Sequence, residues 1–256
     1  MAEEHYVEVK GLAKSFADEG RGLVQAVKGI DFHCLPGQVF GLLGANGAGK
    51  TTTLRMLATL LSPSAGTATV MGYEVRQSPL EVRRHLGFHS ASTALYPRLT
   101  VRETLEFFAR INKVEKSAVK ARVDSLIERF ELSSYAHTRV ERLSTGMKQK
   151  VSIARTVAHD PPVLIFDEPT IGLDVLNILQ FHQCITDLRD SGKAILLSTH
   201  IMSEAEKLCD RIAVIHGGQI LACDTLANLR EQTGQVRLED IFVHMIGKPI
   251  PELVAE

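Results

Sequence analysis

The sequence predicts an α/β fold in which a parallel sheet is joined to a smaller antiparallel sheet and interrupted by a helical insertion. Continuous apolar runs at 39–43, 163–166 and 194–197 are typical of strands buried on both faces of a parallel sheet. Near the N-terminus, apolar and polar residues alternate instead, which is typical of antiparallel strands with one exposed face. Between residues 91 and 155 strand patterns give way to successive helical patterns, which indicates the insertion.

The overall composition argues against some classes of function. The 256 residues carry 29 basic and 30 acidic side chains, a balance that gives no electrostatic reason to expect nucleic acid as a partner. Four cysteines without a C-x-x-C pair are expected to be buried free thiols in a reducing compartment. The acidic start of the chain predicts no signal peptide, and no apolar run approaches the roughly 18 residues of a membrane span. Any membrane crossing is therefore expected from another chain.

The N-terminal part is expected to form the antiparallel sheet. Residues 6–10 and 30–34 alternate between apolar and polar side chains, and the polar stretch 17–22 between them predicts a hairpin tip. Phe16 lies in this sheet, where its ring would either stack on a purine or pack into the core. The dipeptide Pro36-Gly37 then turns the chain into the first parallel strand.

The following elements are predicted from caps and breakers. The helix that begins at about residue 52 is expected to end at residue 61, before the breaker cluster 62–66. A strand at 67–71, a helix at 79–85 behind Ser78 and a strand at 86–88 come next. Within the insertion, Thr100 and Glu103 form a capping box for one helix, and an apolar stripe predicts a second helix over 117–130.

Strands and helices alternate again after the insertion. The strand at 163–166 ends in Asp167-Glu168, and a helix capped by Asp174 is expected to run to residue 191. The strand at 194–197 ends in Ser198-Thr199-His200, a hairpin follows at 211–223, and a short helix begins at Leu238. The expected organisation is a core of 1–90 and 156–225, a helical subdomain at 91–155, and a C-terminal tail at 226–256.

The chemistry centres on Gly44-Ala45-Asn46-Gly47-Ala48-Gly49-Lys50-Thr51, which fits the phosphate-loop pattern of Gly, four residues and Gly-Lys-Ser/Thr. A strand precedes the loop and a helix follows it, so the free N–H groups and the helix dipole favour an anion there. The glycines let the backbone approach phosphate oxygens closely. Lys50 is expected to reach the β- and γ-phosphates, and Thr51 to ligate Mg²⁺. The flanking strand and helix disfavour the alternative, a chance glycine-rich turn, and the loop predicts nucleoside triphosphate binding.

Further polar residues are expected at the same sheet edge, because ligands of open α/β sheets bind beyond the carboxyl ends of the strands. Asp167 is expected to hold a Mg²⁺-bound water, and Glu168 to orient or deprotonate the water that attacks the γ-phosphate. His200, after the next strand, is a candidate γ-phosphate contact. The sequence Leu143-Ser144-Thr145-Gly146 opens a helix and so gives a second possible phosphate site.

In this order, GANGAGKT at 44–51, LSTGM at 143–147, VLIFDEPTIGLD at 163–174 and STH at 198–200 resemble the nucleotide-binding subunit of an ABC transporter. The similarity extends over nearly the whole chain and implies a P-loop NTPase (RecA-like) core with an N-terminal antiparallel β subdomain and a helical insertion subdomain. It implies that Phe16 stacks on adenine, that Asp174 belongs to the loop that communicates across a dimer, and that His200 is the switch histidine. The implied ATP site comprises Phe16, Gly44, Asn46, Gly47, Ala48, Gly49, Lys50, Thr51, Thr52, Ser144, Gly146 and Asp174, with Thr51 and Asp167 at the metal and Glu168, His200 and Lys50 in catalysis.

Two departures from the family pattern stand out. Thr145 and Met147 occupy positions where the commonest signature has Gly and Gln, although the helix N-terminus survives both changes. Ala91 lies where the family usually has a Gln that contacts Mg²⁺, so Ser90, Ser92 or water would have to replace it. This stretch and LSTGM are similar to the exporter-type group that includes sodium-extrusion ATPases.

The resemblance implies an ATPase that requires ATP and Mg²⁺ and dimerises head to tail with a second ATP-binding subunit, most simply a second copy. Ser144 and Gly146 would then contact the γ-phosphate held by the opposite subunit. A separate membrane-spanning permease would dock near residues 91–99, with Leu95 and Tyr96 as apolar anchors, unless these residues merely pack between subdomains. The chain is accordingly expected in the cytoplasm, on the membrane through the permease. The alternatives are a soluble ABC-type ATPase with a non-membrane partner and a regulatory module with weak turnover.

Overall fold

The computed structural model describes residues 5–18, 20, 22–90 and 94–247. The strands are β1 (Val7–Asp18), β2 (Gly22–Cys34), β3 (Val39–Leu43), β4 (Ala65–Val70), β5 (Tyr73–Glu74), β6 (Leu86–Ser90), β7 (Val163–Asp167), β8 (Ala194–Thr199), β9 (Arg211–His216) and β10 (Gln219–Asp224). The α-helices are α1 (Lys50–Leu57), α2 (Pro79–His85), α3 (Val101–Ile111), α4 (Lys116–Arg129), α5 (Thr145–Thr156), α6 (Val175–Asp190), α7 (Met202–Leu208), α8 (Leu226–Thr233) and α9 (Leu238–Ile246). None of the helices within these ranges is long and apolar enough to cross a membrane.

The larger sheet brings the ends of several strands together. Among the described residues it has six strands in the order β10-β9-β3-β8-β7-β6, and its neighbours are parallel except for β9 and β10. Strands β3, β7 and β8 are buried along their whole length, as their continuous apolar runs predict. Leu43 lies opposite Thr199, and Asp167 lies opposite Ser198. The glycine-rich loop, the acidic pair and His200 therefore leave the sheet at one edge.

The antiparallel sheet covers the first helix from the other side. In the described part its order is β2-β1-β4-β5, and the long β1–β2 hairpin shifts register at several points. Apolar side chains from both sheets and from α1 form one core, which includes Phe32, Phe40 and Leu54. The rings of Phe32 and Phe40 stack with their centroids 4.8 Å apart, so the two sheets are in direct contact across this core.

The helical insertion, α3 to α5, lies between β6 and β7. Its helices share a second core with residues such as Leu105, Val123 and Ile153. The predicted capping box is confirmed: the Thr100 hydroxyl accepts from the Glu103 amide at 3.2 Å, and the Glu103 carboxylate accepts from the Thr100 amide at 2.8 Å. At its far end α5 packs so closely on β6 that a side chain at Gly87 would collide with the Thr156 carbonyl.

The α/β prediction, with its antiparallel sheet and helical insertion, is confirmed by these elements, but some details of the prediction are wrong. Helix α1 ends at Leu57 rather than residue 61, because Thr59 turns into the left-handed region with φ 59°. The hairpin strands β1 and β2 are longer than predicted, and the short helices α7 and α8 were not predicted. The division into a core, a helical subdomain and a tail stays a prediction.

Candidate active site

The glycine-rich loop between β3 and α1 forms the wall of a cleft. The cleft has a volume of about 150 Å³ and is lined by residues 45–52, by Ala26 of β2 and by Glu168. Gly49 stands at the N-cap of α1 with φ 110°, and a Cβ there would lie 2.7 Å from the Ala26 carbonyl oxygen. Gly44 is equally confined, because a side chain would collide with the Ile215 carbonyl. The loop can therefore follow this path only with glycine at both positions.

Lys50 is the first residue of α1 and is 4% exposed, so nearly all of its side chain is enclosed by the loop. Its ammonium group donates to the carbonyl oxygens of Gly44 and Ala45, at 2.6 and 3.2 Å. The same Nζ lies 3.0 Å from Glu168 Oε1. A buried ammonium group needs negatively charged or polar partners. Phosphate oxygens in the cleft are negatively charged, as Glu168 is, and would bind Lys50 more strongly.

Three oxygen-bearing side chains converge beside Lys50. Asp167 at the end of β7 accepts at Oδ1 from the Thr51 hydroxyl at 3.0 Å and from the Ser198 hydroxyl at 2.6 Å. Asp167 and Ser198 are buried and Thr51 is half-buried. A carboxylate with hydroxyls is a hard-oxygen donor set that suits Mg²⁺, which binds through one or two carboxylates and the substrate phosphates. The residues present therefore fit the metal that the sequence predicts.

Glu168 is held in a strained and well-defined position. Its φ of 49° lies in the left-handed region, which a residue other than glycine seldom adopts. The Glu168 amide donates to both oxygen atoms of Ser198, the hydroxyl at 3.1 Å and the carbonyl at 3.2 Å. One carboxylate oxygen faces Lys50, and the other lies 2.7 Å from His200 Nδ1. The two predicted catalytic partners of Glu168 are thus brought into direct contact with it.

The predicted second phosphate site opens α5. Ser144 is the exposed N-cap, and its hydroxyl accepts from the Met147 amide at 3.3 Å. Gly146 has no room for a side chain, because a Cβ would lie 2.6 Å from Asn177 Nδ2. Asn177 in turn donates to Asp174 through its amide nitrogen at 3.0 Å and through Nδ2 at 2.6 Å. These bonds, the backbone one foremost, lower the pKa of Asp174 below its usual value.

The structure separates these residues into two groups. Lys50, Thr51, Asp167, Glu168 and His200 meet in one place, whereas no contact joins Ser144, Gly146 or Asp174 to them among the described residues. The exposed Asn46 and the half-buried Thr52 line the cleft with the rest of the loop. Two half-sites on one chain are what a site completed by a second subunit requires.

Phe16 lies on β1, opposite Val24, and is 38% exposed. The alternative that this ring packs into the core is wrong. Lys14 places its ammonium 5.2 Å from the ring centroid, which is a cation–π distance. The exposed ring is therefore free to stack on a flat ligand, and its role towards adenine stays a prediction.

The residues predicted to dock a permease differ in their exposure, and some of them are not described by the structure. Ala91, with Ser92, lies outside the described residues, so the metal contact expected there stays a prediction. Leu95 is half-buried and packs on the core of the insertion, and its role as an apolar anchor stays a prediction. Tyr96 is exposed and contacts the rings of Phe107 and Phe108, at centroid distances of 5.5 and 6.4 Å.

Sequence reasoning missed two residues of this site. Ser198 was quoted as the end of a strand without a role, yet it joins Asp167 to the Glu168 amide. The sequence did offer a signal for Ser198, because it is a polar residue at the end of an apolar strand that can align with Asp167. Asn177 offered no signal, because its contact with Gly146 depends on how two helices pack.

Known proteins that are similar to this chain include ATP-binding proteins of transporters. The family model described as ABC transporter matches residues 27–171. The chain is 40% identical over 239 residues to the ABC transporter ATP-binding protein NatA of Bacillus subtilis (strain 168), which covers 93% of this chain and 97% of NatA. It is 41% identical over 219 residues to the Nod factor export ATP-binding protein I of Paraburkholderia xenovorans (strain LB400), which covers 86% and 70% of the two chains.

Solved structures of similar fold extend the comparison. An ATP-binding subunit of an ABC transporter superposes with a TM-score of 0.86 at 31% identity, over 94% of this chain and 99% of the other. A dimeric ATP-binding cassette in a post-hydrolysis state, bound to ADP and Pi, gives a TM-score of 0.78 at 25% identity, over 86% and 98%.

Proposed function

The chain belongs to the ABC transporter family, and from that premise we propose that it is the ATPase subunit of an exporter, working as a head-to-tail dimer on a separate membrane permease. It binds ATP with Mg²⁺ and hydrolyses ATP, as the ATP-binding proteins of this family do. The observation that carries the proposal for the site is the contact of Glu168 with both Lys50 and His200 at the mouth of the phosphate loop.

The phosphates of ATP would bind along residues 45–52, which line the cleft at the N-terminus of α1, where backbone N–H groups are available to an anion. Lys50 would exchange its ion pair with Glu168 for the β- and γ-phosphate oxygens. Thr51 and Asp167 would hold Mg²⁺, which would neutralise negative charge on the phosphates. Phe16 would stack on the adenine ring.

Release from Lys50 would leave Glu168 free to act on water. Glu168 accepts a proton from the attacking water while the water oxygen forms a bond to the γ-phosphorus. The bond from that phosphorus to the β-phosphate oxygen breaks, so the products are ADP and inorganic phosphate. His200 contacts Glu168 at 2.7 Å and would orient the carboxylate and the γ-phosphate.

The dimer is supported by an exposed apolar surface beside the second half-site. We call the exposed side chains of Ile171, Val175, Leu176 and Leu179 the loop–α6 patch. The patch adjoins Asp174, and Val175 and Leu176 are 71% and 74% exposed. A group of large apolar side chains at this exposure is characteristic of an interaction surface. A second copy would cover the patch and bring its Ser144 and Gly146 to the γ-phosphate.

The permease is expected to dock on the aromatic groove around Tyr96. This groove, of about 420 Å³, lies between the core and the insertion and is lined by residues that include Leu60, Phe88, Tyr96 and Phe108. Exposed aromatic side chains are typical anchors of protein interfaces. Docking there would place the chain on the cytoplasmic face of the membrane. Export as the direction is supported by the similarity to a Nod factor export protein.

Light scattering of the purified chain tests the dimer. We expect a mass of 28.1 kDa for the chain alone and about twice that with saturating ATP in EDTA. EDTA removes Mg²⁺ and so slows hydrolysis, which keeps ATP bound to the chain. Lys50→Ala, which removes the phosphate contact, should stay at the lower mass under the same conditions. A chain that hydrolyses ATP but shows the lower mass at every ATP concentration would contradict the dimer.

Membrane fractionation tests the docking groove. The chain co-expressed with its permease should sediment with washed membranes, and Tyr96→Glu should move it to the supernatant because a charge then faces the apolar groove. Val236→Glu, at an equally apolar and 74% exposed site, is the matched control and should still sediment. Equal sedimentation of both variants would argue against docking at Tyr96.

A further inference from the structure

A buried histidine on β6 lies against α5, the helix that also contacts the segment carrying Glu168. His89 has no exposed surface and lies against Phe166, with ring centroids 5.8 Å apart. Its Nε2 is 3.1 Å from Gln149 Nε2, and its Nδ1 is 3.2 Å from the Ser152 hydroxyl. Both partners belong to α5, the helix that Ser144 and Gly146 open.

The hydrogen bonds determine the state of the imidazole. Gln149 Nε2 also donates to the Pro169 carbonyl at 2.7 Å, and an amide NH₂ group has two hydrogens to give. The second hydrogen must therefore go to His89 Nε2, which accepts it only if the ring is neutral and carries its proton on Nδ1. That proton is then donated to Ser152. Burial also favours the neutral ring, because it lowers the pKa of His89.

Pro169 directly follows Glu168, and the backbone is held by hydrogen bonds on both sides of the strained Cα of Glu168. On one side the Glu168 amide is held by Ser198. On the other side the Pro169 carbonyl is held by Gln149. A left-handed φ at Glu168 persists only where the surrounding contacts hold the backbone in place. The hydrogen bond from Gln149 is the contact that comes from α5.

We propose that Gln149, oriented by His89, is a positioning residue that holds the Glu168 backbone in place from the signature helix α5. This inference rests on the proposed function, because it assigns Gln149 a part in the reaction that Glu168 performs. Gln149 lies one turn after Gly146 on the same helix, so a movement of that helix N-terminus on contact with the second subunit's ATP reaches the Pro169 carbonyl through one side chain.

The hydrogen bonds of His89 and Gln149 allow these two polar side chains to lie between β6 and α5. A polar group inside a protein is costly unless the bonds it needs are made, and both ring nitrogens of His89 and the Nε2 group of Gln149 have their partners. Replacing both His89 and Gln149 by leucine removes the two side chains that face each other, so it should cost less stability than Gln149→Leu alone, which leaves His89 Nε2 unpaired. The double replacement therefore separates a role in folding from a role in positioning Glu168.

The test compares Gln149→Leu, the double variant His89→Leu/Gln149→Leu, and Ser152→Ala as the matched control on the same helix. Ser152→Ala removes a bond to His89 but leaves the bond to Pro169. Thermal midpoints, ATP affinity from a fluorescent ATP analogue, kcat and KM are measured for each variant. We expect the double variant to have a higher midpoint than Gln149→Leu and wild-type ATP affinity, while its kcat stays lower than wild type by roughly 10- to 100-fold, the effect of a misplaced catalytic group. Ser152→Ala should keep kcat within about twofold.

Two results would overturn the proposal. One is a stable double variant with wild-type kcat, which would make Gln149 purely structural. The other is a loss of ATP affinity that accounts for the whole change in kcat/KM, which would place Gln149 in substrate binding. If Gln149→Leu alone fails to fold, the double variant carries the test. A wild-type chain without ATP hydrolysis would instead contradict the proposed function.

Discussion

Replacing Ser198 by alanine tests the oxygen cluster at the metal position. The Ser198 hydroxyl donates to buried Asp167 at 2.6 Å and accepts from the Glu168 amide at 3.1 Å. The amide keeps its second acceptor, the Ser198 carbonyl, so the main loss is one hydrogen bond to a buried carboxylate. Such bonds contribute about 1.5–3 kcal/mol, and Thr51 still donates to the same oxygen, so we expect a loss of about 2 kcal/mol in the free energy of unfolding.

Thermal unfolding measures the loss of stability, and a Mg²⁺ titration of ATP turnover measures the effect on the metal position. A loss of about 2 kcal/mol lowers the thermal midpoint by about 4–8 °C in a chain of this size. With Asp167 less constrained, the Mg²⁺ concentration that gives half-maximal ATP turnover should rise. Ser191→Ala is the matched control, because its hydroxyl donates to the neutral Leu188 carbonyl and should cost about 1 kcal/mol. Equal losses for the two variants, with an unchanged Mg²⁺ titration, would refute this account of Ser198.

Three further predictions use other parts of the molecule. Burial holds the pKa of His89 at about 3, against about 6.5 in the unfolded chain, so between these values only the unfolded chain binds the proton and stability falls as pH falls. In His89→Leu the free energy of unfolding should therefore fall less steeply below pH 6, by about 1.4 kcal/mol per pH unit. An unchanged slope in urea titrations at several pH values would contradict this. Gly146→Ala should reduce turnover by roughly tenfold or more through collision with Asn177, and adding Asn177→Ala should recover part of it; a double variant no better than the single one would argue against the collision. Leu176→Glu should abolish ATP-dependent dimers in light scattering because it puts a charge into the loop–α6 patch, whereas a normal dimer mass would remove the patch from the interface.

Those parts of the fold that depend on local signals could be predicted from the sequence. The runs at β3, β7 and β8 are apolar throughout, and this predicted their burial in a parallel sheet. The capping box of α3 was equally visible, because both of its partners lie within one turn. The end of α1 was not visible, since Thr59 leaves the helix through its backbone conformation rather than through a glycine or proline.

The candidate site shows the same division. Lys50 and Thr51 were predicted from one motif, and Glu168 from the end of an apolar strand. The structure confirms that these side chains meet. Asn177 and Gln149 could not be assigned roles, because their contacts join segments far apart in the sequence. Such contacts depend on strand register and helix packing, which spacing along one chain does not reveal.

We assign Glu168 as the base that activates water for ATP hydrolysis. Glu168→Gln keeps the size and polarity of the side chain but cannot accept the proton, and a neutral amide no longer forms an ion pair with Lys50. ATP turnover and ATP affinity of this variant, measured on the same preparation, give the most direct test. We predict a fall in turnover of roughly 10²–10⁴-fold with ATP binding retained, whereas near-normal turnover would contradict the assignment of Glu168.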